Sequence, residues 1–151
     1  KVDSKYNRVE FVDTKYSDSS FQDLIKSFNG KIMLIDIWAS WCGPCKYEFT
    51  KYSDDLYEFL AEKNISLLFI SIDKPGKENV WRKELEWFNV NGYHLRANKN
   101  LHNSIIKEIS EGKAYSIPRY ILINENGEVL SNNLGKPSST DFRSKINKLL
   151  N

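Results

Sequence analysis

Cys42-Gly43-Pro44-Cys45 holds the only two thiols of a 151-residue chain, three positions apart. The near-continuous apolar run Ile32 to Trp38 just before it reads as a strand buried on both faces, and a helix is expected directly after it. The first N–H groups of a helix have no partner within the helix, and its dipole favours negative charge there. A cysteine at that end is biased toward thiolate, the form that attacks disulfides. The dipole contributes about 0.3–1 kcal/mol, up to about 2 in partly buried geometries. At 1.36 kcal/mol per pKa unit, that is roughly one unit of acidification. Pro44 suits the first turn, where its missing N–H costs nothing. The three-residue offset brings the second sulfur within bonding reach of the first across one turn.

Other uses of two cysteines fit less well. A structural disulfide gains most by closing a long loop, and this one would close almost none. A zinc site needs four ligands, and the only histidines, His94 and His102, fall outside the usual spacing. Covalent haem attachment expects His after the second cysteine, where this chain has Lys46. The reading that remains is a redox dithiol with no metal. Six residues before Cys42, Asp36 interrupts the apolar strand. A buried carboxylate is costly to ionise, so its pKa should rise toward the range useful for proton transfer. A strand-end Asp with a satisfied hydrogen bond is the plainer alternative.

The elements that must position these residues alternate along the chain. Val9 to Val12 reads as a first strand. Ser20 opens a helix with Asp23 in capping-box position and Phe21, Leu24, Ile25 and Phe28 on one face, stopped at Asn29-Gly30. One long helix is expected from about Cys42 to Lys63, striped by Phe49, Tyr52, Leu56, Phe59 and Leu60. Ile65–Ile72 repeats the buried-strand pattern. Glu78 to Phe88 reads helical, Tyr93 to Arg96 as a short strand, and Leu101, Ile105 and Ile109 mark another helix. Pro118 opens the strand Tyr120–Ile123, and Asn126-Gly127 is a strong hairpin signal. Glu128–Ser131 returns from it, and Thr140 is expected to cap a final helix. This alternation predicts an α/β sheet covered by helices on both faces, with an antiparallel edge at the hairpin.

Composition bounds the function. The length fits one domain, residues 1–151. At 40% hydrophobic and 28% charged residues, a disordered or collagen-like chain is excluded. Twenty-two basic against 20 acidic residues, a net charge of +2, give no electrostatic case for nucleic acid. The longest apolar runs are strand-sized, so no membrane span is expected. The chain opens at Lys1 rather than Met, as expected of a processed or trimmed product whose signal, anchor or preceding domain would lie before it.

The stretch from Gly30 through Trp38-Ala39-Ser40-Trp41-Cys42-Gly43-Pro44-Cys45-Lys46 resembles the active-site segment of thioredoxins. Ile117-Pro118, followed by an apolar strand and Asn126-Gly127-Glu128-Val129, resembles that superfamily's second hallmark. Some 45 residues separate Ile72 from Pro118. An extra strand and helix there, over about residues 75–113, and the preceding Asn29-Gly30-Lys31 resemble the TlpA/ResA-like envelope oxidoreductases. The resemblance implies a thioredoxin fold: a central mixed sheet flanked by helices, with an N-terminal extension and a strand-helix insertion before the proline strand.

It also implies roles. Cys42 would attack a substrate disulfide, and Cys45, deprotonated with help from Asp36, would resolve the mixed disulfide. Thioredoxins place a Lys near that Asp from the next strand, and the matching position here is Phe69. Pro118 matches the superfamily's cis-proline, and the backbone of Ile117 would pair with an extended substrate segment. Trp41, Gly43 and Pro44 would complete the substrate-binding face. Arg119 departs from the usual Thr; favouring acidic substrates, stabilising the thiolate and simple solvation are its open readings. Trp38 is expected in the core, Trp81 and Trp87 as structural residues, and His94 and His102 as surface or capping groups. Lys74-Pro75-Gly76-Lys77 reads as a turn.

The implied activity is dithiol–disulfide exchange by a monomer that needs no cofactor, acts on disulfide-containing proteins and takes electrons from an upstream dithiol protein. The Gly-Pro pair resembles reductants. The implied compartment is the cell envelope or periplasm rather than the cytoplasm, with room for a membrane tether ahead of Lys1. Two rivals are a thioredoxin-like peroxidase, whose Pro-x-x-x-Thr-x-x-Cys setting Cys42 lacks, and a non-enzymatic module binding partners along a Trp41–Pro118 groove.

Overall fold

A computed structural model describes residues 9–151. In chain order the elements are β1 (Val9–Phe11), a 3-10 turn (Thr14–Asp18), α1 (Phe21–Lys26), β2 (Ile32–Trp38), α2 (Gly43–Phe49), α3 (Asp54–Glu62), β3 (Ile65–Ser71), α4 (Glu78–Phe88), β4 (Gly92–Arg96), α5 (Lys99–Ser110), β5 (Arg119–Ile123), β6 (Val129–Leu134) and α6 (Phe142–Leu150). The strands form one mixed sheet in the order β1-β4-β3-β2-β5-β6. β1, β4, β3 and β2 run parallel, and β5 and β6 complete the sheet antiparallel. The antiparallel edge expected at the hairpin is there.

The central strands are apolar on both faces because both faces are covered. Met33, Ile35 and Ile37 of β2 point into one core with Phe21, Leu24, Leu101 and Ile105 from α1 and α5. Leu34 and Trp38 point into the other, with Phe49, Leu60, Trp81, Phe142 and Ile146 from α2, α3, α4 and α6. Period-2 alternation puts Asp36 on that second face, the one α2 covers.

The single helix expected from Cys42 to Lys63 is two. Thr50 turns its hydroxyl back to the carbonyl of Tyr47 at 2.6 Å, and Ser53 starts α3 by accepting from Leu56 N–H at 3.3 Å. Both are residues whose side chains compete with the helical ladder. The cap expected at Thr140 is also displaced, since α6 begins after Asp141. Gly92 is the one glycine whose conformation shapes the sheet centre. Its φ of +138° lets β4 start where a Cβ would meet Phe69 Cε2 at 3.0 Å.

Two side chains correct their expected settings, and a third gains its partners. His94 is fully buried rather than on the surface, because β4 lies between β1 and β3 and is no edge. Trp87 is 82% exposed rather than packed; it sits six residues after buried Trp81, on the far side of α4. Arg119 donates to the backbone carbonyls of Asn132 and Ile109, at 2.6 and 3.3 Å, tying β5 to β6 and to α5. His102 is half-buried, with Nε2 2.9 Å from Tyr115 Oη.

Candidate active site

Cys42 is the residue at which β2's strand-to-helix turn ends and α2 begins. Its backbone is extended, and its Sγ accepts the Cys45 N–H at 3.2 Å. Pro44 lies in the first turn of α2, as expected. Cys42 and Cys45 are joined as a disulfide with Cα atoms 5.3 Å apart. Cys42 retains 3% exposure and Cys45 none, so the sulfur nearer solvent belongs to the first cysteine. An N–H aimed at Cys42 Sγ favours the charged form once the bond is open, as the helix end does.

The rim comes from two loops. The Ile117–Pro118 peptide is cis, and the Ile117 carbonyl lies 3.9 Å from Cys42 Sγ. Trp41 is 67% exposed, and Gly43 and Pro44 are exposed beside it. Trp41 also borders an open groove of about 540 Å³ lined by Ser40, Asp73, Lys74, Lys77 and Val80.

The turn carrying Trp41 and Cys42 is held from β3. Asp73, just past that strand, accepts from Ser40 N–H at 3.0 Å and from the Ser40 hydroxyl at 2.5 Å. The Ser71 hydroxyl donates to Asp73 Oδ2 at 2.6 Å. All three side chains are buried. No motif marks this cluster, although Ser71-Ile72-Asp73 at the end of an apolar run is a polar interruption of the same kind as Asp36.

Asp36 lies wholly buried on the α2 side of the sheet. Its Oδ2 accepts from the Tyr52 hydroxyl at 3.2 Å, and its Oδ1 has no partner. Burial pushes its pKa well above the usual carboxylate range, the Tyr52 hydrogen bond opposes this, and the charge of Glu48 adds to it. Phe69 is its register neighbour on β3 and Tyr120 its partner on β5. Glu48, one turn after Cys45 and not anticipated from the sequence, is also buried; it accepts from Ser138 N–H at 2.9 Å and from the Ser138 hydroxyl at 2.7 Å.

Thus the expected residues separate into a dithiol with its rim, and Asp36, wholly buried on the face of the sheet that α2 covers. Such a disulfide can accept two electrons through sulfur, and its dithiol form can donate them. Among the described residues no cluster of three His, Cys, Asp or Glu side chains could hold a metal, and no helix is long and apolar enough to cross a membrane.

A Cys-x-x-Cys disulfide at a helix start on this mixed sheet defines the thioredoxin fold, and the chain's family and fold neighbours are thiol-disulfide oxidoreductases of the thioredoxin superfamily. Residues 4–150 match the Redoxin family model, so the chain belongs to the Redoxin family. It is 29% identical over 105 residues to the thiol-disulfide oxidoreductase ResA of Oceanobacillus iheyensis, which covers 70% of this chain and 50% of that one. It is 35% identical over 69 residues to Thioredoxin-1 of Caenorhabditis elegans, covering 46% of this chain and 56% of the relative. The chain thus spans about half the length of these curated relatives. A Bacteroides vulgatus chain proposed to be a thiol-disulfide oxidoreductase superposes with a TM-score of 0.62 at 29% identity, over 83% of this chain and 78% of that one.

Proposed function

We propose that the protein reduces disulfides of protein substrates in the cell envelope through its Cys42–Cys45 dithiol. Cys42 thiolate attacks a substrate disulfide, forms a mixed disulfide and expels one substrate thiolate. Cys45 passes its proton to Asp36 and attacks Cys42 Sγ, which closes the Cys42–Cys45 disulfide and releases the second substrate thiolate. An upstream dithiol protein then returns two electrons, and no cofactor is needed. Trp41, Gly43, Pro44, Ile117 and Pro118 form the face against which the substrate segment lies. Residues 1–151 form one domain, with an insertion over about residues 75–113, and this domain acts as a monomer. The envelope assignment is supported by the similarity to ResA.

The observation that carries this reading is Cys42 Sγ at the first turn of α2, accepting Cys45 N–H beside an open rim. Its test is the reduction potential of the pair, read by Trp fluorescence across a dithiothreitol gradient. A value near the thioredoxin figure of about −270 mV supports a reductant; one near the DsbA figure of about −120 mV makes the protein an oxidant.

A further inference from the structure

Among the described residues, the surroundings of Asp36 hold three tyrosine hydroxyls and no cation. The titratable and charged groups facing it are Tyr52 from the link 50–53 between α2 and α3, Tyr57 from α3, Tyr120 from β5 and Glu48 from α2. β3 offers only Phe69, whose ring stacks on buried His94 at 4.7 Å. Burial of His94 holds it down at about 4, so it is neutral behind that ring at physiological pH.

Of these groups only Tyr52 bonds the carboxylate. Its ring is fixed edge-on against Phe69, centroids 5.5 Å apart, and near Tyr57 at 6.0 Å. That packing aims the hydroxyl inward at Oδ2, while Oδ1 and the Tyr120 hydroxyl stay without partners.

We infer that Tyr52 is the positioning residue of Asp36: its hydroxyl holds Oδ2 and the charged form, and leaves Oδ1 as the atom that takes the proton. This rests on the reading of Asp36 as proton acceptor. In the step concerned, the proton on Cys45 Sγ passes to Asp36 Oδ1, and the electron pair left on sulfur forms the bond to Cys42 Sγ. The substrate sulfur leaves with the pair of the broken bond. A hydroxyl donated to a carboxylate favours its ionised form. Tyr52 thereby keeps a fraction of Asp36 ionised that burial alone would deplete. A neutral hydroxyl from the α2–α3 link does this without burying a second charge beside the carboxyl.

The test is the pH profile of single-turnover insulin reduction by the pre-reduced protein, in wild type, Tyr52→Phe, Asp36→Asn and the double variant. Tyr52→Phe keeps the ring contacts and deletes only the donor. The expected result is that Y52F moves the ionisation assigned to Asp36 to higher pH, a roughly tenfold smaller acid dissociation constant. D36N should erase that ionisation, and the double variant should match D36N. A Y52F profile that coincides with wild type while D36N erases the step overturns the role of Tyr52 and leaves Asp36 standing. A Y52F effect that persists unchanged in the D36N background marks a structural role and overturns it equally. A profile unaffected by D36N brings down the reading of Asp36 itself.

Discussion

Phe69 stands beside Asp36 in the parallel register of β2 and β3, so the strand neighbour of the buried carboxyl is an aromatic ring. A cation there would stabilise the ionised form through charge, whereas Phe69 adds only apolar surface and desolvation. The carboxyl is therefore held up by burial, opposed by a single hydroxyl.

Replacing that carboxyl should separate activity from stability. Asp36 has its folded pKa raised above its unfolded value, so its contribution is complete at acid pH and is lost as pH rises through the folded value. Asp36→Asn stays neutral throughout. It should match wild type in urea unfolding at about pH 4 and exceed it at about pH 8, with disulfide exchange at neutral pH slowed by roughly 10²-fold. Equal unfolding curves at both pH values would show that the carboxyl ionises without cost.

His94 should give the opposite slope. Burial lowers its pKa from 6.5 to about 4, and its Nε2–H donates to Val90 O at 2.8 Å. A depressed folded pKa contributes stability above the unfolded value that is lost as pH falls toward the folded one, here from about 6.5 to about 4. That gap corresponds to roughly 3 kcal/mol. His94→Phe should lose this part of the pH dependence, visible as a flatter stability curve than wild type across the window.

Trp41 tests the rim. With 67% of its surface exposed, Trp41→Ala should change thermal stability little. It should raise KM for a protein disulfide several-fold and leave the rate with a small aromatic disulfide near wild type. A parallel loss on both substrates would place Trp41 in the chemistry of the dithiol instead of in docking.

Asp73 tests the turn below that rim. Asp73→Ala strips the acceptor from Ser40 N–H and from the Ser40 and Ser71 hydroxyls. Buried donors left unpaired cost about 1–3 kcal/mol each, so a loss of at least about 3 kcal/mol is expected, against about 1 for Ser71→Ala. Slower exchange with protein and small disulfides alike should accompany it, because the same turn carries Cys42.

The dithiol, its strand-to-helix setting and the buried strands were legible because each depends on local pattern: an apolar run, a proline in a first turn, a three-residue offset. The break between α2 and α3 was not. Phe49, Tyr52 and Leu56 keep helical spacing straight across it, and no Gly or Pro marks it; only hydroxyl groups at Thr50 and Ser53 do. The burial of His94 is hidden for a different reason. Whether Tyr93–Arg96 lies at an edge or inside the sheet depends on where β1 adds, which is a long-range pairing that no local pattern encodes. The Tyr52–Asp36 and Ser40–Asp73 bonds are likewise distant partners, each half of which looked ordinary alone.

That pairing sets an order of events during synthesis. β1 leaves the ribosome before β4, yet among the described residues its strand partner is β4, with Val9 against Gly92. Until β4 has emerged and docked on β3, those first residues have no ladder to join. The β1 edge therefore closes only after β4 is in place, although β1 is made before it.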